Sequence, residues 1–125
     1  MKPTLIIAED IETIRDSLRK ELEGTFEIVA LAENGRQALQ ASQTHRPQLV
    51  LMDVVMPEMS GIDATRRIHE EIAEPPKVVI LSGIRDESVV LQALAAGASD
   101  YLIKPTEISR IKAVLLGYIK EAQTA

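Results

Sequence analysis

The 125-residue sequence predicts an α/β fold, a parallel five-stranded sheet with helices on both faces. Two observations carry that reading. Short apolar runs alternate five times with longer stretches of helical periodicity, the pattern of βα units rather than of hairpins. The runs TLIIA, LVLM, VVIL and YLI each end in chemically capable polar residues, namely Glu9-Asp10, Asp53, Ser82 and Lys104. Continuous apolar runs are what buried parallel strands require, and ligands of open α/β sheets bind outside the carboxyl ends of the strands.

The elements follow in chain order. Thr4–Ala8 is the first strand. Glu12–Glu23 is a helix, because Ile14, Leu18 and Leu22 recur at i, i+4 and i+8 on one face and Gly24 stops it. Glu27–Leu31 is the second strand. Asn34-Gly35 supplies a turn or an N-cap for a short helix through about Thr44, and Pro47 closes that unit. Leu49–Met52 is the third strand, and the loop VVMPEMSG leads into a third helix. Ser60 and Asp63 stand in capping-box spacing at its start, with Ile68 and Ile72 on its buried face. Pro75-Pro76 ends that unit. Val78–Leu81 is the fourth strand. A helix rich in Val, Leu and Ala covers about Asp86 to Ala96, and Gly97 resets the chain for a fifth strand at Asp100–Ile103. A last helix begins near Glu107 and turns Ile108, Ile111, Leu115 and Ile119 to the core. The commonest strand order for five such units is 2-1-3-4-5. Strands 1 and 3 are then neighbours at the switch point, and Glu9, Asp10 and Asp53 meet there.

Composition fits one ordinary domain, read as residues 1–121 with a tail or linker stub at 122–125. Apolar residues make up 46%, enough for a core, and aromatics only 2%, so aliphatic side chains must fill it. The formal charge of −5 argues against broad electrostatic binding to nucleic acid by this domain. With no cysteine, disulfides and thiolate metal sites are excluded, which fits the cytoplasm. TLIIA is too short for a signal peptide, and no stretch approaches a membrane-spanning length.

Three carboxylates, a hydroxyl and an ammonium on one sheet edge have a chemical meaning. Two carboxylates about 4 Å apart repel by roughly 4 kcal/mol at an effective dielectric near 20. Three of them hold a proton or bind a cation, and Mg²⁺ takes one or two carboxylates, several waters and phosphate oxygens. Asp10 and Asp53 are the expected direct ligands, with Glu9 acting directly or through water. The backbone carbonyl of Val55 is placed to complete the set. A carboxylate is also a nucleophile toward phosphorus, giving an aspartyl-phosphate. Lys104 supplies positive charge opposite the metal, Ser82 a hydroxyl donor, and Gly83 leaves room for an incoming group.

The chain resembles the receiver domains of bacterial two-component response regulators. The resemblance rests on Glu9-Asp10, on DVVMPEMSG from Asp53 to Gly61, on LSG at Leu81–Gly83 and on GASDYLIKP from Gly97 to Pro105. It covers about Thr4 to Glu121. It implies a flavodoxin-like (βα)5 fold with Asp53 as phosphoacceptor, Glu9 and Asp10 holding Mg²⁺, and Ser82 and Lys104 binding the phosphoryl group. It further implies that Tyr101 is the switch aromatic and that Lys104-Pro105 is a cis peptide. The implied partner is a sensor histidine kinase or phosphotransfer protein, and a homodimer through the switch face is open. Glu9 stands where Asp is commoner, Thr106 where Phe is common, and Ser82 where Thr is frequent; none of these removes a required group. His45 and His69 lie on polar helical stretches and are read as solvent-exposed, with no metal or phosphorelay role.

Three other readings compete. An aspartate-nucleophile phosphatase would turn over a phosphate ester, but such enzymes place a second Asp two positions after the nucleophile, where this chain has Val55. A nucleotide-binding module would need a glycine-rich phosphate loop, and the six glycines here form none. A pseudo-receiver used only for protein contacts is disfavoured by the intact set of acids, Ser82 and Lys104. The expectation is a signalling domain that is not an enzyme toward external substrates.

Overall fold

The alternation of side chains along each strand decides how the chain layers. In the computed structural model, which describes residues 1–124 and the side chains of 1–119, the five strands are β1 (Thr4–Ala8), β2 (Glu27–Ala32), β3 (Leu49–Met52), β4 (Lys77–Ser82) and β5 (Asp100–Ile103). Leu5 and Ile7 of β1 point to one face of the sheet and Ile6 and Ala8 to the other, and all four are buried. The first face packs on α1 (Glu12–Leu22) and α5 (Ile108–Thr124) through Leu22, Ile111, Leu115 and Ile119. The second packs on α2 (Gly35–His45), α3 (Gly61–Glu71) and α4 (Glu87–Ala96) through Ala38, Leu39, Ile62, Ala64, Ile68 and Ala93. Every strand is parallel to its neighbours, and the order is β2-β1-β3-β4-β5. This is the flavodoxin-like receiver fold predicted above, with the switch point between β1 and β3.

The helix ends follow from local chemistry. Asn34 caps α2 by accepting from the Gln37 N–H at 2.8 Å. Asp86 caps α4 through the Ser88 N–H at 2.8 Å, and Gly97 ends it at φ +119°. A Cβ at Gly97 would also stand 2.7 Å from the His69 ring, so the position is closed to side chains for two reasons.

Two expectations are corrected. Ser60 accepts from the Asp63 N–H at 3.1 Å, but the Asp63 carboxylate pairs with Arg66 at 2.7 Å, so only half of the capping box forms. His69 is half-buried rather than exposed, because α3 packs on the turn after α4 and its Nδ1 lies 2.9 Å from the Thr65 carbonyl. Helix α5 runs through Thr124, and Ala125 lies outside the described residues. Among the described residues no helix is long and apolar enough to cross a membrane.

Candidate functional site

The ends of β1 and β3 are neighbours, and their acids converge. Glu9, Asp10 and Asp53 each offer a carboxylate oxygen within 4.8 Å of the others. The Asp53 N–H donates to the Ala8 carbonyl at 3.0 Å, which extends the β1–β3 ladder and fixes where the side chain starts. Its Oδ1 accepts from the Val54 N–H at 2.7 Å. Behind it, a Cβ at Gly61 would stand 1.8 Å from the Asp53 carbonyl oxygen, so glycine there lets α3 start directly against the site. Glu9 is only 1% exposed; its Oε1 accepts from the Ile11 N–H at 3.2 Å. Asp10 is exposed, and its carboxylate makes no hydrogen bond or ion pair among the described residues. Of the three, Asp10 is therefore the acid most free to take a ligand.

Lys104 enters from the end of β5, and its peptide bond to Pro105 is cis. Its Nζ donates to Glu9 Oε2 at 2.9 Å and to Asp53 Oδ2 at 3.4 Å. Burial lowers the pKa of this ammonium, but the hydrogen bond to Glu9 and the charges of Asp53 and Glu9 outweigh it, so the group sits above the usual lysine value. One ammonium against three clustered carboxylates leaves the edge with excess negative charge. An all-oxygen donor set with that charge fits a hard divalent cation. The Val55 carbonyl accepts no hydrogen bond among the described residues, whereas the Val54 carbonyl is taken by the Gly61 N–H at 2.8 Å.

Ser82 closes β4 beside this edge and is buried. Its Oγ accepts from the Ile84 N–H at 3.2 Å, and the Tyr101 hydroxyl donates to the Ile84 carbonyl at 2.8 Å. The backbone of Ile84 thus joins the hydroxyl of Ser82 to the ring of Tyr101. A Cβ added at Gly83 would meet nothing within 4 Å, so the space beside Ser82 is open.

Two supports of the site were not read from the sequence. Arg15 donates from Nη1 to the Glu9 carbonyl at 2.8 Å and to the Asp10 carbonyl at 3.4 Å. In the sequence it is one more charge on an amphipathic helix, five residues after the second acid. Glu58, at φ +66°, accepts from Asn34 Nδ2 at 3.0 Å and from Arg36 Nη2 at 3.2 Å, fastening the loop after Asp53 to the start of α2. Nothing local in MPEMSG marks the partner of that glutamate.

Known proteins share this chain's sequence pattern and its fold. The response regulator receiver domain family model matches residues 5–116. The chemotaxis protein CheY of Bacillus subtilis is 37% identical over 112 residues, 89% of this chain and 92% of that protein. The transcriptional regulatory protein PdtaR of Mycobacterium tuberculosis is 41% identical over 106 residues, 84% of this chain but 51% of its own length. Among solved structures, the signal receiver domain of the response regulator NarL from Mycobacterium tuberculosis superposes with a TM-score of 0.90 at 26% identity, covering 95% of this chain and 97% of that one. With the family matched over most of its length and the acids gathered at the switch point of the sheet, the chain belongs to the response regulator receiver domains of two-component systems.

Proposed function

We propose that this domain accepts a phosphoryl group on Asp53 from the phosphohistidine of a sensor kinase or phosphotransfer protein and answers by changing conformation. The observation that supports this best is the acid trio facing Lys104 across the carboxyl edge of the sheet, in a chain of the receiver family. In the transfer, an Asp53 carboxylate oxygen attacks phosphorus in line. The P–N bond breaks, and its electron pair stays on the imidazole nitrogen. Phosphoryl transfer asks mainly for positioning and charge neutralisation. Lys104 brings a fixed positive charge, and Ser82 a hydroxyl donor for a phosphoryl oxygen. Mg²⁺, held by Asp10, Asp53 and the Val55 carbonyl with Glu9 acting through water, would neutralise charge on the phosphoryl oxygens.

The acyl phosphate carries about −2 charge. A turn of Ser82 toward it would loosen the Ile84 N–H contact, and the Ile84 carbonyl holds the Tyr101 hydroxyl, so a change at one switch residue reaches the other through the backbone of one residue. Moving such an equilibrium from 1:99 to 99:1 takes roughly 5.5 kcal/mol of differential stabilisation. The responding surface is α4, β5 and α5, where Leu91, Leu94 and Leu116 are exposed, and it suits a partner or a second copy. On this reading residues 1–121 act as a cytoplasmic signalling unit that neither turns over an external substrate nor itself binds nucleic acid.

The test is incubation with Mg²⁺ and acetyl phosphate. One hydroxylamine-labile phosphoryl group per chain is expected, and none on Asp53→Asn. Equal labelling of that variant overturns the assignment.

A further inference from the structure

We infer that Arg15 is a positioning residue for the cation site, holding the backbone of both acids that end β1. The inference rests on the reading that the acid trio binds Mg²⁺. Arg15 sits in the first turns of α1 and is 9% exposed, an unusual burial for a guanidinium. One nitrogen, Nη1, serves the carbonyls of Glu9 and Asp10 together, at 2.8 and 3.4 Å. The other, Nη2, reaches the exposed carboxylate of Glu33 at 3.4 Å.

This contact falls where the chain has little else to fix it. The N-cap residue of α1 is Ile11, whose side chain caps nothing. Between the last β1 residue and the helix, the turn is tied by the Glu9 N–H to Ala32, by the Glu9 carboxylate to Ile11, and by Arg15. Among the described residues, only Arg15 binds the carbonyl side of both acids. Holding these two oxygens restricts ψ at Glu9 and Asp10, and so fixes the path of the backbone from which both carboxylates leave the chain. Among the described residues the Asp10 carboxylate has no hydrogen bond, so the placement of its backbone is what keeps it beside Glu9 and Asp53. The planar guanidinium points Nη1 at both carbonyls and Nη2 at Glu33, a fixed geometry that a lysine ammonium on its flexible stem does not keep. Groups that orient metal ligands from behind change metal affinity without touching the ion.

The experiment is a direct Mg²⁺ titration, without any phosphoryl donor, followed by amide chemical shifts on the wild type, Arg15→Gln, Arg15→Lys and Glu33→Gln. It is run well below the melting temperature of each, with metal-free melting curves as the fold control. Arg15→Gln should bind Mg²⁺ about tenfold more weakly than the wild type, and Arg15→Lys should fall between them. Glu33→Gln should stay close to wild type, because it loses only the outer nitrogen's partner. A purely structural role would lower the melting temperature and leave the affinity of the folded protein unchanged. If Arg15→Gln does not fold, Arg15→Lys decides. Folded Arg15 variants with wild-type affinity overturn the inference, as does a loss in Glu33→Gln equal to that in Arg15→Gln. A wild type that does not bind Mg²⁺ overturns the metal reading itself and this inference with it.

Discussion

Lys104 Nζ stands closer to Glu9 Oε2, at 2.9 Å, than to Asp53 Oδ2, at 3.4 Å. The buried acid thus holds the lysine, and the lysine faces Asp53, the proposed phosphoacceptor. A carboxylate as buried as Glu9 is tolerated when charged only if it is paired and hydrogen-bonded. Glu9 gains both from Lys104 and the Ile11 N–H, which gives a buried glutamate a positioning role beside its place in the acidic cluster.

Breaking that pair should be costly and pH-dependent. Lys104→Met leaves a buried, unpaired carboxylate and should lower stability by about 1–3 kcal/mol in urea unfolding at neutral pH. The folded pKa of Lys104 lies above its ordinary value. Its stabilisation is therefore fully present below the pKa of an unfolded lysine and is lost as pH climbs through the folded value. The variant should show a shallower alkaline loss than the wild type. Coincident urea midpoints for the two proteins across that range would refute the pairing.

Mg²⁺ should stabilise the fold, since it relieves repulsion among Glu9, Asp10 and Asp53. At 100 times the dissociation constant the gain is about 2.7 kcal/mol, readable as a rise in melting temperature. Asp10→Ala should abolish most of the rise, because this acid is exposed and unbonded. Glu9→Gln should weaken the rise less, since Glu9 is already occupied by Lys104 and the Ile11 N–H. A melting temperature indifferent to Mg²⁺ in all three proteins would remove the metal site.

Glu58 holds a left-handed backbone, φ +66°, in the loop that follows Asp53. Both Glu58→Ala and Glu58→Gly lose the contacts to Asn34 and Arg36. Only alanine keeps the Cβ that this backbone disfavours, by about 1–2 kcal/mol. Glycine pays more backbone entropy on folding, which offsets part of that difference. Glu58→Ala should therefore unfold at lower denaturant than Glu58→Gly, and both below wild type. An alanine variant as stable as the wild type would show that the loop does not depend on this clamp.

The parts of the fold legible in the sequence are those where chemistry changes abruptly. The strands at Thr4–Ala8, Leu49–Met52 and Asp100–Ile103 match because charged or turn residues bound each apolar run. Strand β2 runs one residue further, to Ala32, which pairs with Ala8 just before the acid run, and β4 takes in Lys77 and Ser82, which pair in the ladder without being apolar. The acids, Ser82 and Lys104 of the candidate site were legible because each stands at the end of a strand or within two residues beyond it. Arg15 and Glu58 were not, because their partners are backbone carbonyls and a cap residue that only the folded chain brings near. The half-burial of His69 likewise depends on the approach of Gly97, 28 residues away in the numbering.

The lifetime of the aspartyl-phosphate should depend on Val55. On the proposed function, hydrolysis needs a water in line behind phosphorus, and the residues two beyond Asp53 and two beyond Ser82 are the expected flanks of its approach. These are Val55 and Ile84, both apolar, so neither side chain can hydrogen-bond an attacking water. They are not equivalent as test sites. Ile84 packs against the core, and its backbone carries the contacts of Ser82 and Tyr101, so Ile84→Glu would disturb the switch as well as the water. Val55 is 63% exposed, and its side chain holds nothing in place. Val55→Asn adds an amide able to orient water while leaving stability within about 0.5 kcal/mol, as for other exposed positions. Phosphate release timed after removal of acetyl phosphate should change several-fold, about 1 kcal/mol in barrier height. An unchanged rate in a stable Val55→Asn protein would refute the gating role and leave the phosphoacceptor assignment standing.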